Sequence, residues 1–275
     1  MELTERQERE LDYHRGHAAR HAHLKERAVA TDVLDRLGER SWNAYWYVMA
    51  RVADEPVAGT RWLVPGCGFG DDAIRLALMG ARVTATDLSP ESLEITEARA
   101  RLAGIPQDRL VTIQAPCERM PLEGASFDGI LLRDILHHVD IPVTLEELRR
   151  LLKPGARVLG SELYTHGILQ RIRESRPVAR WLYPRVAKVI YGGRDPYITA
   201  DERKLDERDL ALLEQAFPGL ELAWFLLVVQ RFVSDSSDRI ARLDRAVLRA
   251  LGPAGRILGG RVVFEGRMPA RPAPC

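Results

Sequence analysis

The sequence predicts an α/β protein: an open, mostly parallel sheet with helices on both faces. Three observations point there. From about residue 60, short aliphatic and β-branched runs alternate with longer amphipathic segments. The first run leads straight into "PGCGFG", with Gly66, Gly68 and Gly70 on alternate positions. The second run closes on Asp87, about twenty residues beyond the first glycine, the spacing at which a nucleotide-binding sheet presents an acidic side chain.

Taken in order, residues 1–55 read as helical, with Thr4 as a helix cap and few apolar side chains, Leu3, Leu11, Tyr13 and Leu24. A helix this polar is expected to pack over a ligand or to stay mobile. His14, His17 and His21 share one face of it and His23 lies off that face. With no outside ligand visible, these histidines read as a solvated face, and no metal is expected. "SWNAYWYVMARV" concentrates Trp42, Tyr45, Trp46 and Tyr47; the expectation is a core-facing anchor, with a wall of the active site as the alternative.

"RWLV" reads as the first strand and "DDAIRLALMG" as a helix stopped by Gly80, with Asp71 as its N-terminal cap. "ARVTATD" is a strand, and "SPESLEITEARARLAG" a helix started by Ser89 and Pro90 and ended by Gly104. "RLVTIQ" and "FDGILLR" are strands, "PVTLEELRRLLKPG" a helix and "ARVLGSEL" a fifth strand. Residues 165–217 then read as Pro-punctuated helix without a strand, an inserted cap. A strand in "LELAWFLLVV", a helix near "SSDRIARLDRAVLRAL" and a last strand "GRVVFEG" complete the sheet. The expected organisation is an N-terminal helical extension or lid over 1–55, a core made of 56–164 and 218–275, and a substrate-side cap over 165–217.

Bulk properties narrow the function. The chain has 275 residues, 46% hydrophobic and 29% charged, with 40 Lys and Arg against 39 Asp and Glu. A net charge of +1 provides no global attraction to nucleic acid or to an anionic membrane. No apolar run approaches the roughly 20 residues of a bilayer span, and the first residues lack a signal-peptide core, so no membrane insertion is expected. Cys67, Cys117 and Cys275 are an odd number without metal spacing and read as reduced thiols, hence a cytoplasmic protein.

The glycine turn lets backbone approach a ligand closely, at the N-terminus of a helix whose N–H groups lack partners. Its G-x-G-x-G spacing departs from the dinucleotide G-x-G-x-x-G, with Asp71 where the last glycine belongs; a carboxylate there repels a pyrophosphate. Asp87 is placed to accept ribose hydroxyls. Turn and aspartate together indicate an adenosine-containing cofactor.

"LVPGCGFG", "VTATDLSPESL", "ERMPLEGASFDGILLRDILHHV" and "LRRLLKPGARVLGSEL" resemble the successive motifs of class I S-adenosylmethionine-dependent methyltransferases, over residues 60 to 163. The resemblance implies a Rossmann-like, seven-stranded sheet with the last strand antiparallel. It also implies that Gly66, Cys67 and Gly68 line the methionine part of S-adenosylmethionine (product S-adenosylhomocysteine), Asp87 holds the ribose and Leu88 packs on adenine. Family members often carry an acidic residue after the third strand that reads the adenine amino group. Here "APCERMP" puts Pro116 in its place, and the Cys117 N–H or Glu118 is expected to take over. Arg133, at the end of the fourth strand, is counted with the cofactor set.

Methyl transfer from a sulfonium is an in-line displacement, so positioning supplies much of the rate and a base is needed only for a protonated acceptor. In "ILHHV", His137 and His138 point in different directions; in similar enzymes the first His faces the substrate, and an imidazole with a pKa of about 6.5 suits a base. Glu162, ending the fifth strand, either orients His137 or takes the proton itself. Tyr13 and His14 reach the site if their helix closes over it, and His138, Trp181, Tyr183 and Tyr191 are the remaining substrate candidates. The aromatic cap segment suggests a small hydrophobic or aromatic acceptor, possible in secondary metabolism, with no nucleic-acid partner. Self-association through the N-terminal helix is a further expectation. Two alternatives stand beside this reading: an NAD(P)-dependent oxidoreductase on a similar sheet, and a cofactor-binding protein without transfer activity.

Overall fold

The computed structural model describes residues 3–182, 203–226 and 238–270. Seven strands form one sheet in the order β3-β2-β1-β4-β5-β7-β6: β1 (Arg61–Pro65), β2 (Arg82–Asp87), β3 (Leu110–Gln114), β4 (Phe127–Arg133), β5 (Leu152–Leu163), β6 (Glu221–Phe225) and β7 (Arg261–Arg267). All neighbouring pairs from β3 to β5 are parallel, and β7 runs antiparallel to both β5 and β6. This is the expected Rossmann-like sheet. β5 begins at Leu152, ahead of the expected Ala156, and its pairing with β4 shifts register between Phe127 and Gly129.

The strands are apolar on both faces, as a sheet covered on both sides requires. Trp62, Val64, Leu131 and Leu159 point into one core with Val48, Met49, Ile74 and Leu76. Leu63, Ile130, Leu132 and Val158 point into the other with Leu145, Leu148, Leu213 and Phe217. The alternation within β1 and β4 is the two-residue period of a strand.

Before the sheet come α1 (Glu5–Arg20), a short 3₁₀ turn (Ala22–Glu26), α2 (Asp32–Asp35) and α3 (Ala44–Ala53). Thr4 and Gln7 form a reciprocal capping box at the start of α1. The core-facing residues of α3 are Ala44, Val48, Met49 and Val52, while its aromatics lie at the margins. Tyr45 is exposed and bonded to Asp134, and Trp42 lies under Arg242. The fully buried part of the anchor is therefore aliphatic apart from Met49, with Trp46 and Tyr47 half-buried against the same core.

α4 (Asp71–Leu78) follows β1, α5 (Pro90–Leu102) follows β2 and α6 (Ile141–Leu151) lies between β4 and β5. Ser89 caps α5 and Asp140 caps α6. Gly70, at φ +81, occupies the cap position of α4 instead of Asp71. Asp71 is one residue too late to cap; it pairs with Arg99 Nη1 at 2.9 Å instead. In the expected cap, α7 (Gly167–Glu174) and a short π-helical turn (Val178–Leu182) are described, whereas Tyr183 and Tyr191 lie outside the described residues. The helix Glu207–Ala216 buries Leu213 and Ala216 in the second core beside α6, so that end of the segment packs with the sheet layers.

Candidate active site

β1 and β4 are adjacent where the strand order reverses, and open α/β sheets bind ligands outside the carboxyl ends of strands at that point. A cavity of about 460 Å³ opens there. Its wall includes Gly66, Cys67, Gly68, Asp87, Leu88, Pro116, Cys117, Glu118, Arg133, His137 and His138, together with His14 from α1. The structure thus brings together every expected cofactor residue and both adjacent histidines.

Two of the turn's glycines serve different ends. Gly66 has φ +59, and a Cβ there would lie 2.2 Å from Ile135 Cδ1, so this glycine lets the turn pack on the chain leaving β4. Gly68, at φ +52, would carry a Cβ with no atom within 4 Å, so its bare main chain faces open space. That space is what close approach of a cofactor requires. The Gly68 N–H donates to Asp87 Oδ2 at 2.8 Å, and the Ser89 N–H to Oδ1 at 2.9 Å. An ionised carboxylate has about four acceptor positions, so Asp87 keeps capacity for two ribose hydroxyls. Burial pushes its pKa up, opposed by the N–H groups of Ser89 and Gly68. Burial also holds the thiols of Cys67 and Cys117 well above their usual range, so neither is a ready nucleophile.

Beyond β4, Asp134 adopts φ +50, a left-handed conformation that Asp tolerates better than most residues. The kink aims the next residues at β5. The N–H groups of Ile135 and Leu136 donate to Glu162 Oε1 at 2.7 and 2.6 Å, and His137 Nδ1 lies 2.7 Å from Oε2. Glu162 is fully buried and His137 is 5% exposed. With both Glu162 oxygens engaged, the carboxylate fixes the orientation of the imidazole through Nδ1.

α1 covers the cavity through polar contacts. Gln7 Nε2 donates to Glu118 Oε2 at 3.0 Å, while Glu118 Oε1 accepts the Asp140 N–H at 3.1 Å. Glu10 Oε2 lies 3.0 Å from His138 Nδ1. His17 stacks on Phe69 at 5.2 Å with 6° between the rings. Burial, then the charges of His21, His14 and Arg20, lower the His17 pKa to about 4. Tyr13 stacks beside His17 and is not part of the cavity wall. Trp181 is 62% exposed and also lies off the wall. Both were substrate candidates; the described geometry gives neither a place against the cavity. Arg133 Nη2 donates to Asp72 Oδ1 at 2.6 Å, and its guanidinium lies over Tyr45. Arg133 thus reaches the cavity already committed to a carboxylate.

Sequence reasoning missed Gln7, Glu10 and Arg261 in the wall. Arg261 starts β7 and bonds Asp134 Oδ1 at 2.6 Å. No local signal marks it, because only the antiparallel return of β7 beside β5 carries it there. For Gln7 the only signal was its position in a capping pattern.

Comparison with known proteins decides the family. Residues 63–160 match the model of a methyltransferase domain. A demethylmenaquinone methyltransferase of Clavibacter sepedonicus is 31% identical over 212 residues, 77% of this chain and 81% of that protein. The chain belongs to the class I S-adenosylmethionine-dependent methyltransferases. The methyltransferase is also 29% identical over 242 residues to the 27-O-demethylrifamycin SV methyltransferase of Amycolatopsis mediterranei, 75% of this chain and 89% of that one. In structure it resembles the magnesium protoporphyrin IX methyltransferase of Synechocystis PCC 6803 with bound SAH, at a TM-score of 0.56 and 15% identity, covering 96% of this chain and 100% of that one. The nicotinamide alternative is set aside with this assignment. Among the described residues no helix is long and apolar enough to cross a membrane.

The residues present fit the methyl donor: an open cradle at Gly68, a buried carboxylate at the end of β2 and a half-buried Leu88 beside it. When bound, S-adenosylmethionine supplies a methyl group on a sulfonium that departs as a neutral thioether.

Proposed function

We propose that this methyltransferase methylates a hydroxyl oxygen of a small hydrophobic or aromatic molecule, with His137 as the base and Glu162 as its positioning residue. One observation carries the reading: a fully buried carboxylate, pinned by two main-chain N–H groups, bonds Nδ1 of a histidine in the cavity wall. Such a carboxylate fixes the tautomer, directs Nε2 at the acceptor and stabilises the imidazolium that forms as the proton arrives. The acceptor class accords with the apolar wall residues Val64, Ile135, Val139 and Leu163 and with relatives named for demethylmenaquinone and 27-O-demethylrifamycin SV.

In this reading Gly66, Cys67 and Gly68 border the methionine part of the donor, Asp87 accepts its ribose hydroxyls and Leu88 packs on adenine. Glu118 is committed to Gln7 and Asp140, so the main chain at Cys117 is assigned to the adenine edge. Residues 1–55 act as a lid through α1, and the part of 165–217 ahead of the helix Glu207–Ala216 as the substrate-side cap. Cytoplasmic residence accords with Cys67 and Cys117 being unbridged. Self-association through α1 is checked by size-exclusion chromatography with light scattering.

The test combines turnover with binding. His137→Ala is expected to lower kcat by about 10²–10⁴-fold, the range of general-base contributions. Its affinity for S-adenosylhomocysteine, measured by calorimetry, should stay within a few-fold of the parent. Glu162→Gln should lower kcat less and shift the pH–rate profile, which a purely structural role would leave in place. An unchanged rate in His137→Ala removes the base. Binding of S-adenosylhomocysteine without turnover on any of a panel of hydroquinones, phenols and hydroxylated macrocycles would favour the non-transferring alternative.

A further inference from the structure

A second cluster in the cavity wall adjoins the proton-transfer pair, with the His138 ring 4.2 Å from that of His137. We propose that Glu10, His14 and His138 form a binding site for a divalent transition-metal ion such as Zn²⁺. The three side chains come from α1 and from the turn after β4, and their ligand atoms all lie within 4.8 Å of one another. Glu10 Oε2 is 3.0 Å from His138 Nδ1 and 3.5 Å from His14 Nε2. A tetrahedral ion with ligands at about 2.0–2.1 Å places those ligands roughly 3.3–3.4 Å apart, so small side-chain rotations suffice. Two imidazoles and one carboxylate are also the donor set of open zinc and non-haem iron sites.

Burial and position strengthen the assignment. Glu10 is 4% exposed, on a helix that otherwise buries only Leu11 and Ala18. All three residues line the cavity, so the fourth coordination position is open to it, where water or an oxygen of the acceptor completes the shell. The other convergent group, Asp134, His137 and Glu162, suits a metal less well. There Glu162 already accepts two main-chain N–H bonds and Asp134 is held by Arg261 and Tyr45. Sequence spacing alone offered no partner for the helix histidines; the fold supplies one in His138, 124 positions beyond His14. The ion also joins α1 to the core across the cavity mouth.

The full-length protein, stripped with chelator and desalted, is titrated with ZnCl₂ by calorimetry, and its metal content is measured after gel filtration. Cobalt substitution provides visible d–d absorption as a second readout. One Zn²⁺ per chain is expected. His14→Ala and His138→Ala should each weaken it by at least the roughly 10–100-fold that even outer-shell partners contribute. The double variant His21→Ala, His23→Ala should bind like the parent. The proposal is overturned if the parent binds no Zn²⁺ at micromolar concentration, if both single variants retain full affinity, or if only the double variant loses it. Should His138→Ala fail a thermal-melting check, His14→Ala, on a half-buried helix position, carries the test alone. None of these readouts involves methyl transfer, so their failure leaves the role of His137 standing.

Discussion

The turn after β1 and the cavity face of α1 meet across the same cavity, yet they are built in opposite ways. The turn is main chain: bare backbone at Gly68, two N–H groups on Asp87, and a glycine at 66 that admits Ile135. The α1 face is side chain: Gln7 on Glu118, Glu10 on His138, His17 on Phe69. The turn's shape is set by β1 and α4, which it joins, and by Asp87 at the end of β2. The α1 face is completed by residues 52 to 128 positions away in the chain.

Three measurements sharpen that contrast. The largest effect is expected at the turn. Gly66→Ala combines a left-handed φ with a Cβ 2.2 Å from Ile135, and should destabilise the fold by about 2–5 kcal/mol in denaturant melts. Gly68→Ala meets open space and should cost only about 1–2 kcal/mol, yet its methyl group occupies the cradle. Its affinity for S-adenosylhomocysteine should fall tenfold or more, about 1.4 kcal/mol for each factor of ten. If both variants bind normally, the turn is not a main-chain site and the comparison breaks.

Next is Asp87. Burial raises its pKa above the ordinary 3.8. Hydroxyl donors prefer the ionised form, so cofactor affinity should be full above the raised pKa and decline as pH falls through it. The decline should begin at higher pH than for an ordinary aspartate. Calorimetry from neutral to mildly acid pH checks this, and Asp87→Asn should weaken binding while flattening the profile.

The smallest effect belongs to α1. His17 has its pKa lowered from 6.5 to about 4 in the docked helix, so an undocked His17 takes up a proton more readily. Docking should therefore be complete above pH 6.5 and weaken progressively towards pH 4. Hydrogen exchange over residues 5–20 reads this directly. His17→Phe keeps an aromatic ring against Phe69 and should remove the pH dependence. A pH-independent exchange pattern would mean that α1 is held by something other than these polar contacts.

The same division explains what was legible in the sequence. The seven-stranded sheet, the helix caps at Thr4 and Ser89, and the stops at Gly80 and Gly104 rest on local patterns, and those patterns hold in the fold. That Gly68 and Asp87 would lie together at the cavity was legible, because a glycine turn after one strand and an acidic residue ending the next are local signals. Asp71 misled because a polar residue beside a glycine looks like a cap, whereas the left-handed backbone at Gly70 takes that place. Arg261, Gln7 and Glu10 were not legible, since each reaches the cavity through tertiary packing. Tyr13 was on the right helix but points along its flank, one helical step from His14.

The sparse apolar content of α1 also has a thermodynamic consequence. The helix buries only Glu10, Leu11 and Ala18, so lifting it from the cavity exposes little hydrocarbon to water. Heat capacity follows apolar exposure, so the opening should carry almost no heat-capacity change. If α1 works as the proposed lid, its opening should yield to salt and protons more readily than to warmth, and the ionic composition around the enzyme should set how quickly reactant and product trade places.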